Sequence, residues 1–134
     1  GLARTFQLGS GPQKVYDTAN AVTEGLESVL ETIRPGVTAG DVHTAWQKVL
    51  NRYGLVKESR IGYGIGVGYS PDWGEHTISL RANDLTVLEK NITLHVMLGM
   101  WMDGWGIEFS ETVAVTDSGV DCLTDFPRSV IDVR

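Results

Sequence analysis

The stretch RIGYGIGVGYSPDWGEHT, from Arg60 to Thr77, holds a guanidinium, phenols, carboxylates, an imidazole and an indole within eighteen residues. Four of its first nine residues are glycine. A phosphate cradle needs glycines at the first, third and sixth positions and then a helix. Here they stand at Gly62, Gly64, Gly66 and Gly68, every second residue, and Ser70-Pro71-Asp72-Trp73-Gly74 reads as a turn. No Lys-Ser or Lys-Thr pair follows, so phosphate binding of that kind is excluded. A period of two predicts a strand with the glycines on one face and Tyr63, Ile65, Val67 and Tyr69 on the other. A bare strand face marks close approach, either by a neighbouring backbone or by a ligand lying on it.

Other groups add to this list. Glu75 ends the Pro-Asp-Trp-Gly-Glu turn at a predicted loop tip, where binding residues and merely solvated ones both occur. His76 follows it, and Asp72 suits an Asx-type bond to its own backbone. Arg60 or Arg81 has the fork that grips a carboxylate. Trp73, Trp101 and Trp105 fall in predicted turns, and desolvated indole faces attract cations by roughly 0.5–2 kcal/mol each. Three such faces with a carboxylate would suit a compact cation, so the glycine face is expected to floor a small-solute pocket. Glu111 and His95 lie on alternating strands; a carboxylate or imidazole aimed into a pocket can move protons.

These groups must be held by a small number of elements. Residues 2–8 read as a short strand. Gly9-Ser10-Gly11-Pro12 then leads into a helix, capped by Ser10 or Gly11, whose apolar stripe runs from Val15 through Leu26 to Ile33. Thr38 and Asp41 form a capping box for a second helix that buries Val42, Ala45, Trp46, Val49 and Leu50 and ends at Tyr53-Gly54. His43 falls on its solvated side. Strands are expected near 60–69, 76–81, 92–98, 100–103, 106–116 and 129–133, with Thr93, His95 and Met97 facing opposite to Leu94, Val96 and Leu98. Two helices followed by a glycine-rich antiparallel sheet make a single α+β domain over 1–134, helices on one face.

Bulk properties narrow the partners. The 134 residues carry 42% hydrophobic and 21% charged side chains, with a net charge of −6. That composition is ordinary for a globular domain. Basic residues nowhere cluster beyond a pair, which argues against nucleic acid or an anionic membrane as partner. The lone Cys122 is expected to fill core in a reducing, cytoplasmic compartment. Gly1-Leu2-Ala3-Arg4 opens in mid-strand, as expected of a piece of a longer protein.

Five ordered phrases carry a resemblance: ARTFQLG, RPGVTAGDVHTAWQKVLNRYG, GYGIGVGY, VLEKNITLHVMLGMW and GIEFSETVAVTDSGVDCLT. Together they resemble the C-terminal half of the pita-bread fold of methionine aminopeptidase, aminopeptidase P, prolidase and creatinase. The resemblance implies two helices packed on a curved antiparallel sheet. It also implies that the other half precedes this segment in the same polypeptide as its structural partner, that the segment alone is inactive, and that the protein is a homodimer. Metal-dependent members hold two divalent ions with two aspartates, a histidine and two glutamates. At the matching positions this sequence has Tyr63 for the histidine, Met97 for one glutamate and Ser110, with Glu111 next to it, for the other; one aspartate position falls at Gly1. Hard ions take carboxylates and imidazoles, and a thioether suits Cu(I). The expectation is therefore no metal and no other cofactor.

Within the fold, RIGYGIG, PDWGE, NITLHVMLG and EFSET resemble the metal-free ectoine-hydrolase group. That resemblance implies a hydrolase of C–N bonds in a small cyclic or amidinium-type solute. Glu111, His95 and Tyr63 are then the catalytic candidates, the phenol polarising a substrate as a metal otherwise would. Glu75, Trp73, Trp101, Trp105 and Arg60 are the substrate-binding candidates. Two alternatives stay open: a peptidase of the Xaa-Pro aminopeptidase or prolidase type with altered ligands, and a pita-bread module kept for binding alone.

Overall fold

The computed structural model describes all residues from Gly1 to Arg134. Nine elements follow in order: β1 (Phe6–Leu8), α1 (Gln13–Thr32), α2 (Ala39–Arg52), β2 (Gly62–Tyr69), β3 (Asp72–Ser79), β4 (Thr93–Met102), β5 (Trp105–Val115), β6 (Val120–Cys122) and β7 (Ile131–Val133). Five strands form one antiparallel sheet in the order β3-β2-β4-β5-β6, and β1 pairs in parallel with β7. Both helices are where their apolar stripes require.

The α1 stripe buries Val15, Ala19, Val22, Leu26, Val29 and Leu30, and α1 packs on β4, β5 and α2. Helix α2 starts on the expected capping box: Thr38 Oγ1 accepts from the Asp41 N–H at 3.1 Å, and the Asp41 carboxylate accepts from the Thr38 N–H at 3.1 Å. The helices cross closely at Gly25, where a Cβ would stand 2.1 Å from Trp46 Cζ3. Trp46 is wholly buried there; its apolar area removed from water contributes on the order of 2–3 kcal/mol, offset in part by an Nε1–H without a hydrogen-bond partner.

The β4–β5 register divides the sheet into two faces. Leu94 pairs with Val113 and Leu98 with Phe109, and all four are fully buried on the helix side. Alternate pairs, His95 with Thr112 and Met97 with Ser110, therefore occupy the face turned away from the helices. Tyr63 pairs with His95 and with Ser79, which extends this open face across β2 and β3.

Several expectations are corrected. Helix α1 has Pro12 at its N-cap and no side-chain cap, so neither Ser10 nor Gly11 serves. Strand β3 begins at Asp72, because the Ser70-Pro71 turn is tight enough for the hairpin to pair at once, from Tyr69 with Asp72. Gly99 continues β4 without a break, merging two expected strands. His43 is buried rather than solvated, since the segment after α2 folds back over it, and Cys122 is exposed on β6 rather than in the core. The glycine face of β2 floors no pocket. A Cβ on Gly62 would lie 2.7 Å from the His95 carbonyl oxygen, one on Gly66 3.1 Å from Glu75 Oε1, and one on Gly68 3.2 Å from the Trp73 backbone. Neighbouring strands fill that space, so close packing is what the glycines serve. No helix is long and apolar enough to cross a membrane.

Candidate active site

On the open face three side chains form a chain of hydrogen bonds. His95 Nε2 lies 2.8 Å from Ser110 Oγ, and His95 Nδ1 lies 2.9 Å from the Tyr63 hydroxyl. The Tyr63 and His95 rings meet edge to face, with centroids 5.3 Å apart. Ser110 is fully buried and its Oγ also accepts from the Ala3 N–H at 2.7 Å. These partners assign the protons. The Ser110 hydrogen has one acceptor within reach, His95 Nε2, so Nδ1 carries the imidazole proton and donates it to the Tyr63 oxygen. The Tyr63 hydrogen is then not donated to His95 and is available to another acceptor.

Burial pushes the His95 pKa down to about 4. The ring is neutral at physiological pH, as the assigned tautomer requires. Gly1 closes one side: a Cβ there would touch His95 Cε1 at 3.0 Å, and Thr112 Oγ1 donates to the Gly1 carbonyl at 2.6 Å. Arg60 stacks its guanidinium over the Tyr63 ring at 4.7 Å. Beside it, Arg81 is pinned by two bonds to Ser79 Oγ, at 3.0 and 2.8 Å. Arg60, Ser79 and Arg81 line a cavity of about 240 Å³ at this edge.

The lowered His95 has a consequence for stability. His43 is likewise lowered, by burial first and also by the Lys57 charge, against its hydrogen bond to the Ser59 backbone. Both folded pKa values lie below the ordinary 6.5, so the unfolded chain binds more protons as pH falls from about 6.5 toward 4. Stability present above that range is lost within it, by on the order of 1–2 kcal/mol for the partly solvated His95. Glu108, whose pKa burial raises above the ordinary 4.5, works the other way in part of the same range, between its raised value and 4.5. Urea midpoints at pH 7.5 and 5.0 should differ, the lower pH being less stable; equal midpoints would contradict the buried neutral histidines.

Glu111 is not part of this chain. It pairs across the sheet with Val96, on the helix side, one residue out of phase with Ser110. There it is 1% exposed and held by Arg4, Arg128 and Thr124, the Arg128 Nε at 3.0 Å. Burial works to raise its pKa, but the Thr124, Arg128 and Arg4 bonds outweigh that and hold it below the ordinary carboxylate range. Arg4 also donates to the carbonyls of Ala3, Ser110, Phe126 and Pro127 at 2.6–2.8 Å. Sequence reasoning missed Arg4, Thr124 and Arg128; the arginine of the ARTF phrase was the available signal.

Of the other candidates, Glu75 lines the same cavity as Arg60, and the tryptophans scatter. Glu75 lies within β3 rather than at a loop tip, and its Oε1 accepts from the Gly68 N–H at 3.0 Å. The tryptophans stand in strands rather than turns and do not cluster. Trp73 is exposed on the β2–β3 hairpin, and Trp105 packs against the core with Lys14 Nζ 5.3 Å from its ring. Trp101 alone lies on the open face, in line with His95 and Met97.

The donor set can be tested for a metal. Tyr63, His95, Met97, Ser110 and Thr112 supply one imidazole and no carboxylate, and no group of three or more His, Cys, Asp or Glu in this chain could hold an ion. A pair of hard divalent ions needs bridging carboxylates. These residues do not fit one.

The description "Metallopeptidase family M24" matches residues 2–117. The chain is 42% identical over 130 residues to an uncharacterized hydrolase/peptidase of Sinorhizobium fredii, covering 97% of this chain and 33% of that protein. It is 41% identical over 130 residues to an ectoine hydrolase of Halomonas elongata, covering 96% and 33%. Among solved structures it superposes on dipeptidase PepE from Mycobacterium ulcerans with a TM-score of 0.90 at 26% identity, covering 98% of this chain and 35% of that one. The chain thus spans about a third of the length of the relatives it matches. Its two helices on an antiparallel sheet make up about a third of the pita-bread fold of the PepE structure, and the chain belongs to Metallopeptidase family M24.

Proposed function

We propose that this segment supplies the substrate-polarising side of a metal-independent C–N hydrolase of the ectoine-hydrolase type, acting on a small cyclic or amidinium-type solute. The observation that carries this reading is the Ser110–His95–Tyr63 chain, whose proton order leaves the phenol hydrogen free for another acceptor. Hydrolysis forms a bond from water oxygen to carbon, breaks the C–N bond and leaves the proton on nitrogen. As water adds, charge builds on the substrate atom facing Tyr63, and a fixed donor there stabilises it at no cost in reorganisation. His95 holds the phenol oxygen and Ser110 holds His95. Arg60 and Arg81 sit one side chain away and suit a substrate carboxylate. The nucleophile or its activating base comes from the remainder of the polypeptide.

The test uses the full-length protein after dialysis against a chelator. Ring opening of ectoine, followed by proton NMR at substoichiometric metal, is the expected result. Absence of hydrolysis with ectoine and with related cyclic amidines would overturn the reading. A peptidase reading is favoured by the likeness to PepE; stoichiometric manganese, cobalt or zinc together with cleavage of Xaa-Pro dipeptides would establish it instead.

A further inference from the structure

On β4 every second residue faces the open side, and beyond His95 and Met97 these are Gly99 and Trp101. Gly99 has no side chain to present, and neither does Gly106, the cross-strand partner of Trp101. The Trp101 indole fills both gaps by lying along the sheet. A Cβ on Gly99 would stand 2.9 Å from its Cζ2, and one on Gly106 2.8 Å from its Cε3. One ring face is thus bedded on two glycines while the residue stays 62% exposed. An indole in a strand can stand away from the sheet or pack into it; this one is laid flat with its outer π-face open.

Glu108 pairs with Gly99 and points to the same side, beside that ring. It is half-buried, yet its carboxylate forms no ion pair within 4.0 Å, and no hydrogen bond offsets the burial that raises its pKa; only the more distant charge of Lys57 does so. Lys57 is itself buried, at 8% exposure, and cannot swing out to cover the indole. An open indole face next to a carboxylate without a partner attracts one kind of ligand, a cation. The same chain shows this chemistry elsewhere, with Lys14 over Trp105.

We propose that Trp101 and Glu108 form a subsite for a cationic group of the substrate, an ammonium or amidinium, on the face that carries the Tyr63–His95–Ser110 chain. Glu108 is four strand residues from Thr112, which stands level with His95 and Tyr63, so the subsite lies roughly 13 Å along the sheet from the row of the phenol and takes the far end of a substrate that reaches Tyr63. The proposal rests on reading the open face as the substrate side, and it assigns residues to a positive charge for which the hydrolase reading names none. It assigns no covalent step to either residue.

Binding of tetramethylammonium to the full-length protein tests it without requiring turnover, with neopentyl alcohol as the uncharged isostere. The indole N–H resonance of Trp101, identified by its loss in Trp101→Phe, should shift saturably with the cation and not with the alcohol. Glu108→Gln should weaken cation binding about tenfold, and Gly99→Ala, which tilts the ring off its bed, by a similar factor. Circular dichroism melting of each variant shows whether it is folded; Glu108→Gln leaves the glycine bed intact and carries the test if Gly99→Ala unfolds. No saturable shift, equal binding of the neutral isostere, or cation affinity unchanged in Glu108→Gln would each overturn the subsite. Cation binding that survives Tyr63→Phe while hydrolysis fails separates this proposal from the catalytic one.

Discussion

Alanine in place of His95 in the full-length protein should lower kcat by about 10²–10⁴-fold, in the range set by loss of a positioned proton-handling group. Tyr63→Phe should cost about 10²–10³-fold, the range for a single donor to developing charge. The effect should fall on kcat rather than KM, because the phenol's hydrogen bond to substrate gains strength only as charge builds. Ser110→Ala offers the sharper discrimination. It leaves the phenol and imidazole in place but removes the proton that fixes the His95 tautomer. The prediction is a smaller loss, with the pH dependence of kcat displaced because the two tautomers are no longer distinguished. Tyr63→Phe and His95→Ala variants that keep wild-type kcat would dismiss the hydrogen-bonded chain as packing.

Glu111→Ala should be strongly destabilising, on a par with truncating a large core side chain. It leaves Arg4, 3% exposed, and Arg128 facing each other with no carboxylate between them. Breaking one side of a buried ion pair costs about 3–5 kcal/mol. Glu111→Gln keeps the shape and part of the hydrogen bonding, so it should fall between. Urea unfolding of the full-length protein measures this, and a loss below about 1 kcal/mol, typical of surface pairs, would refute the structural role. A folded Glu111→Gln with no activity would instead return Glu111 to the catalytic group that the ETVAVT strand suggested. The neighbouring phase predicts otherwise: Val113 and Val115 share its side of β5, and both are buried against the helices.

That phase was legible from the residues. Alternation along 93–98 and 111–116 placed His95 and Met97 opposite to Leu94 and Val96, and the one-residue offset between Ser110 and Glu111 implied opposite faces. The capping box and the α1 stripe were equally plain, being contacts between residues three or four apart. What escaped were contacts made at long range. Arg4 and Glu111 are 107 residues apart in sequence, and no periodicity joins them. His43 sits on the polar side of an isolated α2, and only the returning chain near Lys57 and Ser59 turns that side into interior. The three tryptophans shared a composition but not a place, because an indole's surroundings depend on the strand phase it occupies. Trp101 was named as a candidate ligand group from its residue type; its bed of two glycines on adjacent strands is a pairing that no sequence pattern displays.

The interleaving of β4 and β5 has a consequence for how such a protein can diversify. Chemistry and core alternate residue by residue on the same two strands, so point substitutions at every second position can rewrite one without touching the other. Insertion or deletion of a single residue would exchange the two sets wholesale, delivering leucine and phenylalanine to solvent and imidazole to the interior. Descendants of this segment are free to drift in substrate and are locked in length.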